Sequence, residues 1–193
     1  MHDAGTEDTR TEDTRTEDTR TEDTRTEDTR SERTRTVTWQ DPAPGVAVMP
    51  TMSGLEYLRS MLRGELPPPP IASLMRMTLV AADPGTATFV CDPDESHYNP
   101  IGTVHGGLMC TLLDSALGCA VQSTLPSGQG YTSIEIKVNY LRPVYAHSGR
   151  LTCVATVTKP GNRVAFADGV ITDGSGKTVA TATGSLLVFP IGG

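Results

Sequence analysis

The chain has 193 residues, 37% of them hydrophobic, with 16 basic and 23 acidic side chains. Its first 36 residues hold 12 of the acids and 7 of the arginines and contain no Leu, Ile or Phe, which leaves a stretch of net charge −2 to fold, long enough for one domain with a real core. The acidic balance argues against a nucleic-acid binder, which needs a basic face, and the lack of any run of about 18 apolar residues excludes a membrane-spanning helix.

Met1-His2-Asp3-Ala4-Gly5 leads into charges and not into an apolar stretch, so no secretory signal is expected. The four cysteines, at 91, 110, 119 and 153, form no C-x-x-C pair and lie among apolar residues. They read as reduced, buried thiols of a cytoplasmic protein.

Thr-Glu-Asp-Thr-Arg occurs five times without interruption from Thr6 to Arg30. A period of five matches neither helix nor strand and offers no apolar face, so residues 1–36 are expected to be disordered. Residues 37–50, with Pro42, Pro44, Gly45 and Pro50, read as an extended linker before a domain over 51–193. Ser53-Gly54-Leu55-Glu56 fits a capping box, and Leu55, Leu58 and Leu62 recur at helical spacing until Gly64 and the proline run 67–70.

From Ile71 the pattern turns to strands. Leu74–Val80 and Thr86–Cys91 flank the turn Asp83-Pro84-Gly85 and suggest a hairpin. His105–Gln122 is apolar nearly all round, which predicts a helix inside the protein. Ile134–Tyr140 then alternates with period two, and three more strands follow at about 151–158, 163–172 and 178–189. One helix cannot be hidden by a flat sheet, so the sheet must curl around it or a second subunit must cover the remainder.

Three features of this stretch could carry chemistry. Asp114 puts a carboxylate in the middle of the apolar helix, where it must be either paired or used. His105-Gly106-Gly107 opens the helix with two residues that leave its free N–H groups unshielded, a site for an oxygen gaining negative charge; the same glycines could instead serve close packing. Asn99, in the loop before the helix, could orient a water or a carbonyl, and Asn-Pro is equally an ordinary turn.

Taken together, Asn99-x5-His105-Gly106-Gly107-x6-Asp114, with Ser133 at the start of the alternating strand, resembles the hotdog-fold thioesterases, in particular the PaaI-like acyl-CoA thioesterases of phenylacetate degradation. Leu112-Leu113-Asp114-Ser115-Ala116 and Val138-Asn139-Tyr140-Leu141-Arg142-Pro143 add to the resemblance, which runs from about Leu74 to Val188. It implies an α+β hotdog fold, a long central helix wrapped by a curved antiparallel sheet, dimerisation, and hydrolysis of a CoA thioester. The small residues Ala116, Gly118 and Ala120 of the helix leave room for an aryl or medium-length acyl group, and no metal or redox cofactor is expected, CoA being part of the substrate. The resemblance further implies Asp114 as general base or nucleophile, the Gly106 N–H polarising the carbonyl, His105 and Asn99 shaping the loop, and Ser133 holding water near Asp114. A non-catalytic acyl-CoA-binding hotdog protein is the alternative.

Helix geometry adds an argument independent of the resemblance. Eight residues separate Gly106 from Asp114, a rise of about 12 Å, whereas reacting atoms must come within about 3 Å. If both act on one thioester, they belong to different subunits, so a homodimer, or a homotetramer built as a dimer of dimers, is expected. Arg142, Lys159 and Arg163, near strand ends and turns, are candidates for the CoA phosphates.

Other signatures fail. Gly174-Ser175-Gly176-Lys177-Thr178 lacks the first glycine of a phosphate loop, where Ile171 stands. No G-x-S-x-G elbow occurs, and the four histidines have no metal-ligand spacing.

Overall fold

The computed structural model describes residues 32–192, so the repeat at 6–30, and the disorder expected of it, lie outside the described residues. Residues 32–36 have no regular structure, and the folded unit starts at Val37. Where an extended linker was expected, helix α1 (Ala43–Val48) and a 3-10 turn (Met49–Thr51) form. Pro42 and Pro44 sit at the start of α1, where a missing N–H costs nothing, and the Asp41 carboxylate accepts from Ala43 N at 2.9 Å.

Helix α2 (Gly54–Leu62) begins as expected, with Ser53 Oγ accepting from Glu56 N at 3.3 Å. Only half of the capping box forms, because the Glu56 carboxylate turns to Arg63 at 2.6 Å. A second correction concerns Leu74 and Met75. They belong not to a strand but to a short helix, α3 (Pro70–Met75), which Pro70 initiates. Arg76 ends it in the left-handed region, φ 52°, and its guanidinium pairs with Asp94 as the chain turns into the first strand.

Six strands follow: β1 (Met77–Asp83), β2 (Thr86–Cys91), β3 (Gln129–Tyr140), β4 (Leu151–Lys159), β5 (Val164–Thr172) and β6 (Thr178–Pro190). They form one antiparallel sheet in the order β1-β2-β4-β5-β6-β3. The long helix α4 (Gly106–Gln122) packs against all six strands, which requires the sheet to wrap around it. Alternation on β5 sends Ala165, Ala167 and Ile171 inward, with Gly169 between them. A Cβ at Gly169 would lie 2.9 Å from Leu113 Cδ2, so the helix packs close over this strand and any larger residue would have to displace the Leu113 methyl. Leu112, Leu113, Leu117 and Val121 of α4 form the centre of the core with Leu151, Ile171 and Leu186 of the sheet. No described helix is long and apolar enough to cross a membrane.

Of the two covers that the sequence allows for α4, a curled sheet and a second subunit, the sheet supplies only part. Within one chain α4 leaves a stripe open: Gly107 and Asp114 are exposed, and Gly106, Cys110, Thr111, Ser115 and Cys119 are half-buried. Small residues, Gly, Cys, Ser and Thr, surround Asp114 on a face that this chain does not cover.

Strand β3 stands at the sheet edge, paired with β6 on one side only. Its register shifts between Ser133 and Glu135, a bulge that leaves Ile134 as the extra residue, 55% exposed. The bulge changes which residues face the helix. Before it Tyr131 and Ser133 point at α4, and after it Ile136, Val138 and Tyr140 do. In a strand of strict period two, Ser133 and Ile136 would lie on opposite faces.

Candidate active site

The start of α4 is built to leave one donor available. His105 is the N-cap: its Nδ1 accepts from Gly107 N at 2.8 Å, and its carbonyl accepts from Leu108 N at 3.0 Å. Its own N–H is held by the His97 carbonyl at 2.8 Å. Gly106 N–H has no acceptor among the described residues and lies at the positive end of the helix dipole. The Tyr140 hydroxyl donates to the Gly106 carbonyl at 3.1 Å, and a Cβ at Gly106 would meet the Tyr140 ring at 3.0 Å, so the glycine admits the ring over the first turn.

Asn99 braces the preceding loop. Its Oδ1 accepts from Ile101 N and Thr103 N, both at 3.1 Å, and its Nδ2 donates to Thr103 Oγ1 at 2.8 Å. Asn99, Thr103, Gly106, Tyr140 and Arg142 line a cleft of about 450 Å³ at this end of the helix. The structure thus brings His105, Gly106 and Asn99 together, and leaves Asp114 two turns away.

Asp114 lies on the open stripe with Ser133 Oγ donating to its Oδ1 at 2.6 Å. One turn further along α4, the Tyr131 ring lies on Gly118, where a Cβ would overlap both the ring and the hydroxyl. The match is one of periods: two strand residues rise about 6.8 Å, close to the 6 Å of four helix residues, so Ser133 meets Asp114 as Tyr131 meets Gly118. Burial, then Cys119 and Asp114, push the Tyr131 hydroxyl well above its ordinary pKa. Replacing Gly118 by Ala gains about 1 kcal/mol of helix propensity but forces the ring off its seat, at about 1–3 kcal/mol for overpacking. A net loss in stability of about 1 kcal/mol is expected in denaturant titrations; a gain would contradict this packing.

Two cavities adjoin this end of the site. One, of about 560 Å³, is lined by Ser115 and Cys119 of α4, Tyr131, Phe89, Met61 and Arg76. The other, of about 510 Å³, lies under α1 and α2 among Val46, Met49, Tyr57, Phe189 and Ile191. Tyr131, Tyr140 and the proline-rich segment were not singled out as site residues from the sequence. Only the bulge, which period-two reading misses, shows that both tyrosines face the helix.

The remaining candidates separate. Arg142 flanks the Gly106 cleft, one nitrogen donating to the Thr178 carbonyl at 3.0 Å. Lys159 lies in a different depression, 6.0 Å from the centre of the Phe166 ring, and Arg163 is in the turn before β5. All four thiols are free. Burial pushes Cys119 and Cys153 up to about 12, and burial followed by the Asp114 charge raises Cys110, so all three stay protonated and are poor nucleophiles at neutral pH. Among the described residues, no three His, Cys, Asp or Glu are grouped to hold a metal ion.

Comparison with known proteins gives a consistent result. The family model of the thioesterase superfamily matches residues 101–180, which contain Gly106, Asp114 and Ser133. Acyl-coenzyme A thioesterase 13 of Homo sapiens is 33% identical over 108 residues, covering 55% of this chain and 76% of that protein. The solved structure of a phenylacetic acid degradation-related protein of Ralstonia eutropha superposes with a TM-score of 0.63 at 31% identity, over 68% of this chain and 98% of that one. The PaaI protein of the E. coli phenylacetic acid degradation operon superposes at 0.62 with 25% identity, over 74% and 97%. An antiparallel sheet wrapped around one long helix, with matches of this extent, places the chain in the thioesterase superfamily, as a hotdog-fold thioester hydrolase of the PaaI-like kind.

Proposed function

We propose that this chain hydrolyses acyl-CoA thioesters, with aryl or medium-length acyl groups, to the free acid and CoA, at sites shared between two subunits. The observation that carries the reading is the placement of two complementary groups on one open helix face. These are an exposed carboxylate held by Ser133 and a free N–H at the helix start, about 12 Å apart by helix rise. No single thioester reaches both within one chain. Two α4 helices running antiparallel across a two-fold axis would set Asp114 of each subunit opposite Gly106 of the other. The unpaired edge of β3 and the 51% exposure of Tyr140 favour such a partner, because a twelve-residue edge otherwise leaves its backbone groups unmatched. A homodimer, or two such dimers together, satisfies this.

In this arrangement the thioester oxygen accepts a hydrogen bond from Gly106 N–H of the partner subunit, and the helix dipole favours the charge it gains. The Asp114 carboxylate takes a proton from water as the water oxygen attacks the carbonyl carbon, or attacks that carbon itself to form a mixed anhydride, which water hydrolyses to the free acid and the restored carboxylate once the thiolate has left. Both routes need the ionised carboxylate, oriented by the Ser133 hydroxyl. The tetrahedral species collapses by breaking the C–S bond and expelling the CoA thiolate. His105 and Asn99 keep the donor in place as positioning residues. Arg142, Lys159 and Arg163 are the cations offered to the CoA phosphates, Arg142 being the one beside the Gly106 cleft. The name of the human relative, an acyl-coenzyme A thioesterase, supports CoA as the carrier.

The test is thiol release from a panel of acyl-CoAs by the purified chain. Release from phenylacetyl- or hexanoyl-CoA is expected, and no release from any acyl-CoA would leave only acyl-CoA binding.

A further inference from the structure

The two cavities behind Asp114 share four wall residues: Met61, Pro69, Cys119 and Tyr131. The first cavity is the one that reaches the residue next to the carboxylate on α4, since Ser115, which follows Asp114, lines it and not the second. It also holds polar and charged groups, Arg76, Asp92 and Ser115. The second has no charged side chain in its lining and is walled by Val46, Met49, Tyr57, Phe189 and Ile191. Either volume alone falls in the range of about 300–1,000 Å³ that holds a small ligand, so a substrate tail that fills the first still has an apolar space beyond it.

Three of the four wall residues have little freedom to move aside. Pro69 is cyclic, Cys119 is part of α4, and the Tyr131 ring is seated on Gly118. Met61, near the end of α2, is half-buried, unbranched and has three rotatable side-chain bonds. Resting on the acyl-CoA hydrolase reading, we propose that Met61 is the specificity-determining partition between the two cavities. It limits the acyl group to the first cavity, and the cavity under α1 and α2 is a second acyl subsite that a long alkyl tail enters only when Met61 is displaced. The alkyl chain is the fitting occupant because nothing charged lines the second space and α1–α2 bring only apolar or neutral side chains to it.

The experiment compares kcat/KM for palmitoyl-CoA with that for hexanoyl-CoA, alongside the Kd of both by calorimetry, in the full chain. Met61→Ala is expected to raise the palmitoyl-to-hexanoyl ratio of kcat/KM by about tenfold or more, the scale on which pocket methylenes discriminate. The change should be carried mainly by KM. Adding Met49→Trp, which fills the second cavity, should return the ratio toward wild type. Met61→Val, a smaller cut, should give an intermediate rise and serves if Met61→Ala does not fold. An unchanged ratio in folded variants overturns the proposal, as does a rise that Met49→Trp leaves intact. If wild type turns over no acyl-CoA, the hydrolase reading fails by itself. The Kd ratio then decides the subsite, a shift toward palmitoyl in Met61→Ala supporting it and a constant ratio refuting it.

Discussion

Asp114→Asn lowers kcat/KM on acyl-CoA by about 10²-fold or more, while substrate binding changes little. The amide fills the same space and can still accept from Ser133 Oγ, which now stands 2.6 Å from Oδ1, so the fold and the hydrogen bond have an isosteric replacement. What is lost is a group able to take a proton or attack a carbonyl, and general-base catalysis alone contributes about 10²–10⁴-fold. A loss in kcat with Kd preserved is the signature of an interaction needed in the transition state and not in the ground state. The open position of Asp114 strengthens the argument. A carboxylate buried in a closed network would unfold the protein when replaced, and this one faces outward on a helix stripe beside small side chains. Kinetics and calorimetry on the same preparation check it, and an Asn variant of full activity would remove Asp114 from the chemistry.

Gly106→Pro is the second large effect. Gly106 is the first residue of α4, where proline is tolerated because its missing N–H is one the helix does not use. His105, at φ −61° and ψ 135°, already has the extended conformation that a following proline demands. The substitution therefore deletes one donor with little cost to the helix. A proline ring must share space with Tyr140, whose ring lies 3.0 Å from where a Cβ would sit, and so Gly106→Ala is the control for crowding. Loss of a donor to a developing oxyanion costs about 10²–10³-fold in kcat. Gly106→Pro is expected to lose that much and Gly106→Ala far less. Equal losses would mean that crowding, not the N–H, matters.

Much of this architecture was legible in the residues. The period-two runs of β4, β5 and β6 and the apolar stretch of α4 fall within a residue or two of where the pattern puts them, because each of these strands turns one face to α4 and the sheet encloses most of the helix. The need for a second cover on α4 was legible, but not which face the sheet leaves open. Gly107, Cys110 and Cys119 count as apolar whether they face a core or a partner, so composition alone cannot tell a sealed helix from a half-covered one. The β3 bulge was hidden for a related reason. Ile134, Ile136 and Val138 form a clean alternation in sequence, yet Ile134 is the residue the bulge expels, and only then can Ser133 and Ile136 share a face. Prolines misled in the N-terminal part: Pro42 and Pro44 read as linker punctuation and Pro70 as part of a helix stop, and all three in fact stand at the start of helices, so the cavity walls they support went unseen.

The sharing of each site between two chains is tested most directly by mixing two dead proteins. Asp114→Asn and Gly106→Pro are each inactive in every site of their own homodimers. Unfolded or dissociated together and reassembled at equal amounts, half of the dimers are mixed, and in each of these one site pairs an intact Asp114 with an intact Gly106. About a quarter of wild-type activity should return, since one site in two is restored in half of the molecules. If verified mixed dimers show no recovery, carboxylate and donor work within one chain, and the shared-site account is wrong.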